Sequence, residues 1–552
     1  TNFSGRLTRI LNGDINSGFA NFVNSWGYDP FSKPLNLTWF ETPVDISTGI
    51  TDLIVAAKPK FDRTAGLQYI FGVGSSGRLY KIQPASATNA NLDSIIAISS
   101  VSGDFTFGAS IEFFGFTERM YLGADVNLIS TGAANGTAFD FNGVSTNVNV
   151  GADNYISNIF HPLKKFIGKL VFGNGPTIGV VDSTGTVTSS VIGVSSTLGG
   201  GTGRIYSELN PPLPLTSRVQ DLDVSPDGNY LLITASDIDP EQISTVTSDR
   251  QAASTSDGAI FKWNGIDAAI TSFNTIPSYA VTALQTYLQN NIFFSNDAFG
   301  ASLNDGTNKI LTLPGNKSPF PNSTTVNGNF LSWISPEVIS SDTALAASMY
   351  YFGSLDQENP PGLYRIMRYT TALASGFIYQ TPVNVLTNNR YLTVNNAVTA
   401  LITPGLGKHY FSTYEINNSN SSPSATTCKL YRFLITPSGT GTSQLGVYQT
   451  QTQLFSKRAT IKQIRIYTEP TIANNGFQID CIGSDEAIIT NSTFNYTFVA
   501  GTDETRQQGA LERINFDPAM ADTYALGIRI TNTGTANMTI KKCEIDYKES
   551  GK

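Results

Sequence analysis

Histidine and cysteine are scarce in this 552-residue chain, which has two histidines and three cysteines. His161 precedes a proline and His409 lies in a predicted strand, and no G-x-S-x-G turn is present to supply a nucleophile. Cys428, Cys481 and Cys543 lack the spacing of a metal site. The sequence therefore predicts no catalytic residue and no transition-metal site. It favours free, buried thiols, with a Cys481–Cys543 pair as the alternative.

Charged residues are also few, at 14% of the chain, and the net charge is −8. The longest basic runs are the pairs Lys164-Lys165 and Lys541-Lys542. A nucleic-acid-binding protein would carry a basic stripe, so this class is excluded. Apolar runs long enough to span a membrane, about 18 residues, are also missing. Gly, Asn, Ser and Thr are abundant instead, which indicates a β-rich protein with many turns and a neutral polar surface.

A repeated phrase is the strongest positive signal. Residues 280–296, AVTALQTYLQNNIFFSN, resemble residues 397–413, AVTALITPGLGKHYFST, at an offset of 117. A marker phrase, Thr or Gln, then Ala or Asp, then Leu, recurs with its last three intervals at 62, 61 and 56 residues. This predicts about seven units between residues 51 and 440. The marker phrases are Thr51-Asp52-Leu53, Gln220-Asp221-Leu222, Thr282-Ala283-Leu284, Thr343-Ala344-Leu345 and Thr399-Ala400-Leu401.

Two further phrases follow within each unit. The first is an aromatic or aliphatic run that ends in small residues, and such runs are typical of buried strands. The second alternates Leu, Tyr or Phe with Lys or Arg. The aromatic runs cover 67–74, 119–125, 169–175, 229–236, 291–297, 348–354 and 408–414. The second phrases begin at 77, 258, 362 and 429, with weaker versions at 138–143, 177–185 and 308–314.

Units of about 50–60 residues, each a four-stranded meander, predict an all-β fold with a β-propeller of about seven blades over residues 51–450. The turn sequence SPDG at 225–228 resembles the inner hairpin of many propellers. Residues 451–552 change to a new alternating pattern and predict a jelly-roll-like β-sandwich. Residues 1–50 are expected to be an arm that packs on the propeller, or a strand that closes its last blade. Stacked solenoid coils or tandem sandwiches are the rival architectures.

Carboxylates in the loops suggest one kind of site. Asp237, Asp239 and Glu241 in SDIDPEQ are weak calcium candidates, and the same spacing would suit glycosidase acid–base chemistry or a solvated turn. The stretch 304–308, NDGTN, is a second calcium candidate. No cofactor is otherwise implied. The loops 186–216, 236–257, 314–327 and 415–427 are the expected places for binding, because loops carry recognition on a rigid scaffold.

The opening GYDPFSKPLNLTWFETPVDIS, with TDLIVAAKPK and GRLYKIQ after it, resembles the start of propeller-bearing virion structural proteins of tailed bacteriophages, of the tail nozzle or stabilisation type. The C-terminal ALGIRITNTGTANMTIKKCEIDY resembles the accessory sandwich of such proteins. The resemblance implies a non-enzymatic role in the virion tail, with other tail proteins or copies of itself in a symmetric ring as partners, and a host glycan or receptor as a further one. No catalytic residue carries over.

Two alternatives stay open at this point. The polar surface and the long loops also suit an extracellular or cell-surface propeller that mediates adhesion or binds carbohydrate. The carboxylates in the loops keep a glycosidase as the third hypothesis.

Overall fold

The computed structural model describes the chain between residues 22 and 549, with gaps. The longer gaps are 84–93, 101–109, 131–145, 149–160, 189–216, 239–252, 312–329, 352–361, 368–393, 418–427, 435–445 and 499–511. Every regular element among the described residues is a β-strand. No described segment forms a helix that is long and apolar enough to cross a membrane.

Four short strands lie in the N-terminal segment: β1 (Phe22–Trp26), β2 (Tyr28–Asp29), β3 (Leu37–Trp39) and β4 (Val44–Asp45). They do not form a sheet of their own. Each is added to a sheet built mainly from later stretches of the chain, as described below.

Seven small antiparallel sheets follow, and in each of them the strands from β5 onward pair in chain order. Sheet 1 contains β5 (Ile54–Asp62), β6 (Leu67–Gly74), β7 (Arg78–Gln83) and β8 (Ser94–Ser100). Sheet 2 contains β9 (Ser110–Phe114), β10 (Arg119–Gly123), β11 (Leu128–Ser130) and β12 (Thr146–Val148). Sheet 3 contains β13 (Leu163–Phe166), β14 (Lys169–Asn174), β15 (Thr177–Val181) and β16 (Val187–Thr188). Sheet 4 contains β17 (Ser217–Val224), β18 (Leu231–Ile238), β19 (Ala253–Trp263) and β20 (Ser272–Ile276).

The remaining small sheets have the same plan. Sheet 5 contains β21 (Val281–Tyr287), β22 (Asn290–Ser295), β23 (Ala301–Asn304) and β24 (Ile310–Leu311). Sheet 6 has three described strands, β25 (Phe330–Ser340), β26 (Thr343–Tyr351) and β27 (Gly362–Met367). Sheet 7 contains β28 (Val394–Gly405), β29 (Lys408–Asn417) and β30 (Cys428–Leu434), and its fourth strand is β4 from the N-terminal segment.

The first strands of these sheets contact one another in chain order, from β5 through β9, β13, β17, β21 and β25 to β28. β28 also contacts β5, so the contacts form a cycle. The apolar cores lie between neighbouring sheets. Phe71 of sheet 1 packs with Phe113 of sheet 2, and Tyr80 of sheet 1 shares a core with Leu430 of sheet 7. The fold is all-β with propeller-like sheets.

The last seven strands are β31 (Val447–Thr450), β32 (Gln453–Thr468), β33 (Asn475–Ile482), β34 (Ile488–Phe498), β35 (Glu512–Phe516), β36 (Met520–Asn532) and β37 (Thr539–Glu549). With β1, β2 and β3 they form one connected ten-stranded sheet. The first half of β36 pairs with β32, and its second half pairs with β33 and β31. A strand that changes partners half-way along its length is how the corners of packed sheets are made.

The N-terminal segment joins the seven-sheet region to the ten-stranded sheet. β1 pairs with β31 and β3 pairs with β37, both in the ten-stranded sheet. A few positions beyond Trp39, β4 pairs with β30 in sheet 7. Ile46 N donates to Leu430 O at 2.9 Å, and Lys429 forms an ion pair with Asp45 at 3.1 Å. A single segment therefore completes sheet 7 and extends the ten-stranded sheet.

The doubled phrase of the sequence has a backbone explanation. The first strands of sheets 1, 4, 5 and 7 each carry a register shift with one extra residue, typical of a β-bulge. The extra residues are Val55, Gln220, Thr282 and Thr399. Three of them are the first letter of a marker phrase, so the repeated AVTAL records a bulge at equivalent places in sheets 5 and 7.

Two of the marker phrases do not mark first strands. Thr343-Ala344-Leu345 begins β26, the second strand of its sheet, and Thr51-Asp52-Leu53 precedes β5. A three-letter pattern of this kind suits any half-buried strand, so it does not distinguish first strands from second strands. The aromatic runs are better guides, because all seven lie on or overlap the second strand of a small sheet.

The second phrases at 77, 177, 258, 362 and 429 coincide with the third strands β7, β15, β19, β27 and β30. Two assignments were wrong. The third strand of sheet 2 is β11, and residues 138–143 lie outside the described residues. The third strand of sheet 5 is β23, and residues 308–314 contain its fourth strand.

Candidate functional site

Charged side chains link the first strands of sheets 1 to 5. We call the set the ion-pair belt, and it consists of Lys58, Glu112, Lys164, Lys165, Asp221 and Asp223. Three are cationic and three anionic, so the belt is formally neutral. Glu112, Asp221 and Asp223 are buried. Buried carboxylates are costly unless they are paired and hydrogen-bonded, so their partners decide what the belt does.

Glu112 on β9 joins the strands on both of its sides. Its Oε2 is 2.5 Å from Lys58 Nζ on β5, and its Oε1 is 3.5 Å from Lys165 Nζ on β13. The main-chain amide of Phe113 also donates to Oε1, at 3.1 Å. One buried carboxylate thus connects sheets 1, 2 and 3.

Asp223 on β17 makes the equivalent connection between sheets 3, 4 and 5. Its Oδ1 is 2.5 Å from Lys164 Nζ on β13, and its Oδ2 accepts the main-chain amide of Thr286 on β21. Lys164 and Lys165 are adjacent in a strand, and successive side chains point to opposite faces. Lys165 therefore reaches back to sheet 2, while Lys164 reaches forward to sheet 4.

Asp221 adds a second link between sheets 4 and 5. Its Oδ2 accepts the main-chain amide of Leu284 at 2.9 Å, and its Oδ1 accepts that of Leu222 at 2.9 Å. Asp221 and Asp223 are two residues apart and so share one face of β17. Together the two carboxylates accept hydrogen bonds from the main-chain amides of Leu284 and Thr286 on one edge of β21. They thus take the place of the carbonyl groups that a neighbouring strand would offer.

The carboxylates of the belt change the pKa of Lys164. Burial alone would lower this pKa, but the charge and hydrogen bond of Asp223 act against it, helped by Glu112 and Asp221. The net effect raises the pKa of Lys164 above its ordinary value. The lysine is therefore held as a cation. The ion pairs and amide hydrogen bonds of the belt hold consecutive first strands together.

Of the predicted calcium residues Asp237, Asp239 and Glu241, the structure describes only the backbone of Asp237. Asp237 is in β18 opposite Ser217 in the register, and its side chain is outside the described residues. Asp239 and Glu241 are also outside them, as are 305–308. Among the described residues, no group of three or more His, Cys, Asp or Glu is placed to hold a metal ion. Most residues of the four loops predicted to carry binding lie outside the described residues. Within the second of these loops, 236–238 belong to β18 and 253–257 belong to β19.

The scarce histidines and cysteines that the structure describes are mostly buried parts of the scaffold. His161 is buried, with its Nδ1 2.8 Å from Gly173 O. His409 is in β29, and its side chain is not described. All three cysteines are buried and none forms a disulfide, as predicted, and burial raises the pKa of Cys481 to about 12.

A second charged cluster lies on the ten-stranded sheet. Glu544 on β37 is opposite Arg465 on β32, and Arg465 Nε donates to it at 3.1 Å. Tyr467 Oη also donates to Glu544, at 2.9 Å, and Lys542 forms an ion pair with it. Hydrogen bonds from Lys542, Tyr467 and Arg465 lower the pKa of Glu544 from 4.5 to about 2.

This shift predicts a pH effect on the ten-stranded sheet. A carboxyl group whose pKa is lowered by folding stabilises the folded state above its unfolded pKa, and the contribution disappears as the pH falls. We therefore expect the contribution of Glu544 to the free energy of unfolding to be complete above pH 4.5 and to be lost between pH 4.5 and about 2. Thermal unfolding of the wild type and Glu544→Gln should differ at pH 7 and converge near pH 2.

Glu549→Gln is the matched control, because Glu549 is on the same strand and hydrogen-bonds Ser456 at 3.2 Å. A Glu544→Gln variant that unfolds like the wild type at pH 7 would contradict the prediction.

Comparisons with known proteins do not assign a family. No family model and no curated protein sequence matches the chain. Among solved structures, a computationally designed protein, Ika8, has 12% identity and a TM-score of 0.36, covering 71% of this chain and 99% of its own. A chain of the mitotic checkpoint complex has 10% identity and a TM-score of 0.40, covering 72% and 92%. Raptor from Chaetomium thermophilum has 10% identity and a TM-score of 0.39, covering 72% and 29%. At these TM-scores the likenesses carry no weight, and the architecture rests on the strand pairing.

Proposed function

We propose that the protein is a non-enzymatic structural component of a tailed-phage virion, located in the tail. In this proposal the seven small sheets are the blades of one β-propeller, and the ten-stranded sheet is a jelly-roll-like sandwich. The observation that carries the proposal is the ion-pair belt. A chain of ion pairs and amide contacts through five consecutive first strands suits a rigid scaffold.

The N-terminal segment supports the same role. It adds β3 to the ten-stranded sheet and β4 to sheet 7, so the two regions of the chain share one segment. A component that transmits load along an assembly gains from such coupling. The low charge content and the resemblance of residues 27–60 to propeller-bearing virion proteins agree with this interpretation.

The partners expected from this function are copies of the chain in a symmetric ring, or other tail proteins. Purified protein of this sequence should therefore show a mass in solution of two or more times 59.4 kDa, in a whole-number ratio. Light scattering after size exclusion measures the mass, and electron microscopy tests for rotational symmetry.

A protein that stays monomeric at every concentration, and that does not associate with tail particles, would contradict the proposal. Turnover of a polysaccharide that is lost in Asp237→Asn or Asp239→Asn would replace it with the glycosidase hypothesis.

A further inference from the structure

A row of polar side chains crosses one half of the ten-stranded sheet. Gln449 on β31 is opposite Arg529 on β36, which is opposite Asp480 on β33. Asp480 in turn is opposite Thr493 on β34. Residues directly opposite in neighbouring strands have their side chains on the same face of the sheet. We call Gln449, Arg529, Asp480 and Thr493 the polar ladder.

Solvent reaches the face that carries the polar ladder. The alternate residues of these strands, such as Ile479 and Ile530, are buried and point to the opposite face. Thr493 is exposed and Arg529 is partly exposed, whereas the other two members of the ladder are buried. The ladder therefore has buried groups that position its accessible ones.

Arg529 is held through one nitrogen of its guanidinium group. Its Nε donates to Gln449 Oε1 at 2.9 Å. Within the described part of the chain, Arg529 forms no ion pair with Asp480, and its two Nη groups have no acceptor. The guanidinium is thus fixed in place, and its Nη groups offer N–H donors to a ligand.

Asp480 orients two further side chains. Both of its carboxylate oxygens accept from Gln478 Nε2 at 2.9 Å, and Oδ1 also accepts from Thr493 Oγ1 at 2.7 Å. Because a carboxylate only accepts, Gln478 must direct its amide N–H groups, and Thr493 its hydroxyl proton, towards Asp480. These two side chains therefore offer acceptors to a ligand, Gln478 Oε1 and the lone pairs of Thr493 Oγ1.

This arrangement of donors and acceptors selects the ligand chemistry. A carboxylate or phosphate accepts from Arg529 but has no proton for Gln478 or Thr493. An ammonium group has protons for these two acceptors but accepts nothing from Arg529. A hydroxyl group both donates and accepts, so a ligand rich in hydroxyl groups satisfies both sides.

The charge of this half of the sheet agrees with an uncharged ligand. The strands concerned are β1, β31, β33, β34 and residues 527–532 of β36. Their sequences contain two charged residues, Arg529 and Asp480, so the sum is +1 − 1 = 0.

The exposed apolar surface on this face is small. Ile482 is two residues beyond Asp480 on β33, and Ile488 on β34 is opposite it in the register. Ile488 is 44% exposed, and Ile482 is buried. A stable protein interface buries about 800 Å² on each partner around an apolar centre, which one isoleucine does not provide. It suffices for the C–H groups of a sugar.

We propose that the polar ladder, with Gln478 and Ile488, binds a neutral carbohydrate. Arg529 donates to oxygens of the sugar, and sugar hydroxyl groups donate to Gln478 Oε1 and Thr493 Oγ1. β36 and β34 are separated by one strand, so Arg529 and Thr493 are about 10 Å apart, a distance that a short oligosaccharide spans. The inference does not depend on the virion role, since it rests on one face of the ten-stranded sheet.

A glycan array of neutral and uronic-acid oligosaccharides tests this inference with the purified protein. Neutral oligosaccharides should bind, and high salt should not abolish the binding. Titration with the neutral oligosaccharide that binds best then gives the affinity of each variant. Arg529→Gln removes charge-assisted hydrogen bonds and should weaken binding at least about tenfold. Thr493→Val keeps the shape of the side chain without its hydroxyl and should weaken binding roughly fivefold.

Arg458→Gln is the matched control, because Arg458 on β32 is also held through Nε, which donates to Tyr524 Oη at 3.0 Å. It should bind like the wild type. Four outcomes would overturn the inference: no neutral oligosaccharide bound, binding of uronic-acid oligosaccharides alone, an affinity unchanged by both Arg529→Gln and Thr493→Val, or an equal loss in Arg458→Gln. A change of solution mass in Thr493→Val would also overturn it, by assigning this face to a second copy of the chain. Because Thr493 is exposed, its variant remains decisive if Arg529→Gln does not fold.

Discussion

Asp223→Ala is expected to lower the free energy of unfolding of the seven-sheet region by about 3 kcal/mol. Asp223 is buried, and its carboxylate is shared between Lys164 on β13 and the Thr286 amide on β21. Its loss leaves a cation and an amide without their partner. Removing one member of a buried pair costs about 3–5 kcal/mol, and the lower end applies because the Lys164 side chain is 31% exposed. Urea unfolding monitored by circular dichroism measures the effect.

Two further variants test whether the buried carboxylates of the belt contribute more to stability than an exposed ion pair does. Asp45→Ala removes an ion pair whose carboxylate is 44% exposed, and should cost at most about 1 kcal/mol. Lys164→Met combined with Asp223→Ala removes the stranded cation and should recover some of the loss. Equal destabilisation by Asp45→Ala and Asp223→Ala would contradict a special role for the belt.

Trp39→Ala is expected to destabilise the ten-stranded sheet by about 3–5 kcal/mol, the usual cost of truncating a large buried aromatic residue. Trp39 has no exposed surface and packs edge-on against Tyr28, with ring centres 5.7 Å apart. Because β4 follows shortly after Trp39 in the chain, the loss should also weaken sheet 7. Hydrogen exchange should become faster in β30, which pairs with β4, as well as in β37, which pairs with β3.

Val44→Ala is the control for this second prediction. Val44 is 47% exposed on β4, and the substitution should change stability by no more than about 0.5 kcal/mol. If Trp39→Ala speeds exchange in β37 and leaves β30 unchanged, the N-terminal segment does not couple the seven-sheet region to the ten-stranded sheet.

The belt shows why sequence reasoning missed the main charged feature. The pair Lys164-Lys165 is too short to predict a nucleic-acid-binding surface. Asp221 lies within a marker phrase and Asp223 directly follows it, and that phrase indicates only a strand. Nothing local records that Lys165 meets Glu112 while Lys164 meets Asp223. One signal is nevertheless present in the sequence: charged residues at alternating positions of first strands are unusual where both faces are buried.

The sequence by itself determined the all-β class, the number of aromatic second strands and the change of pattern after residue 450. These features are local, because strand propensity and period-2 alternation act between near neighbours in the chain. Only the tertiary structure decided which sheet receives β1, β3 and β4, and which carboxylate each lysine meets. Those choices join residues far apart in the chain, such as Thr38 and Thr539, and depend on how whole sheets pack.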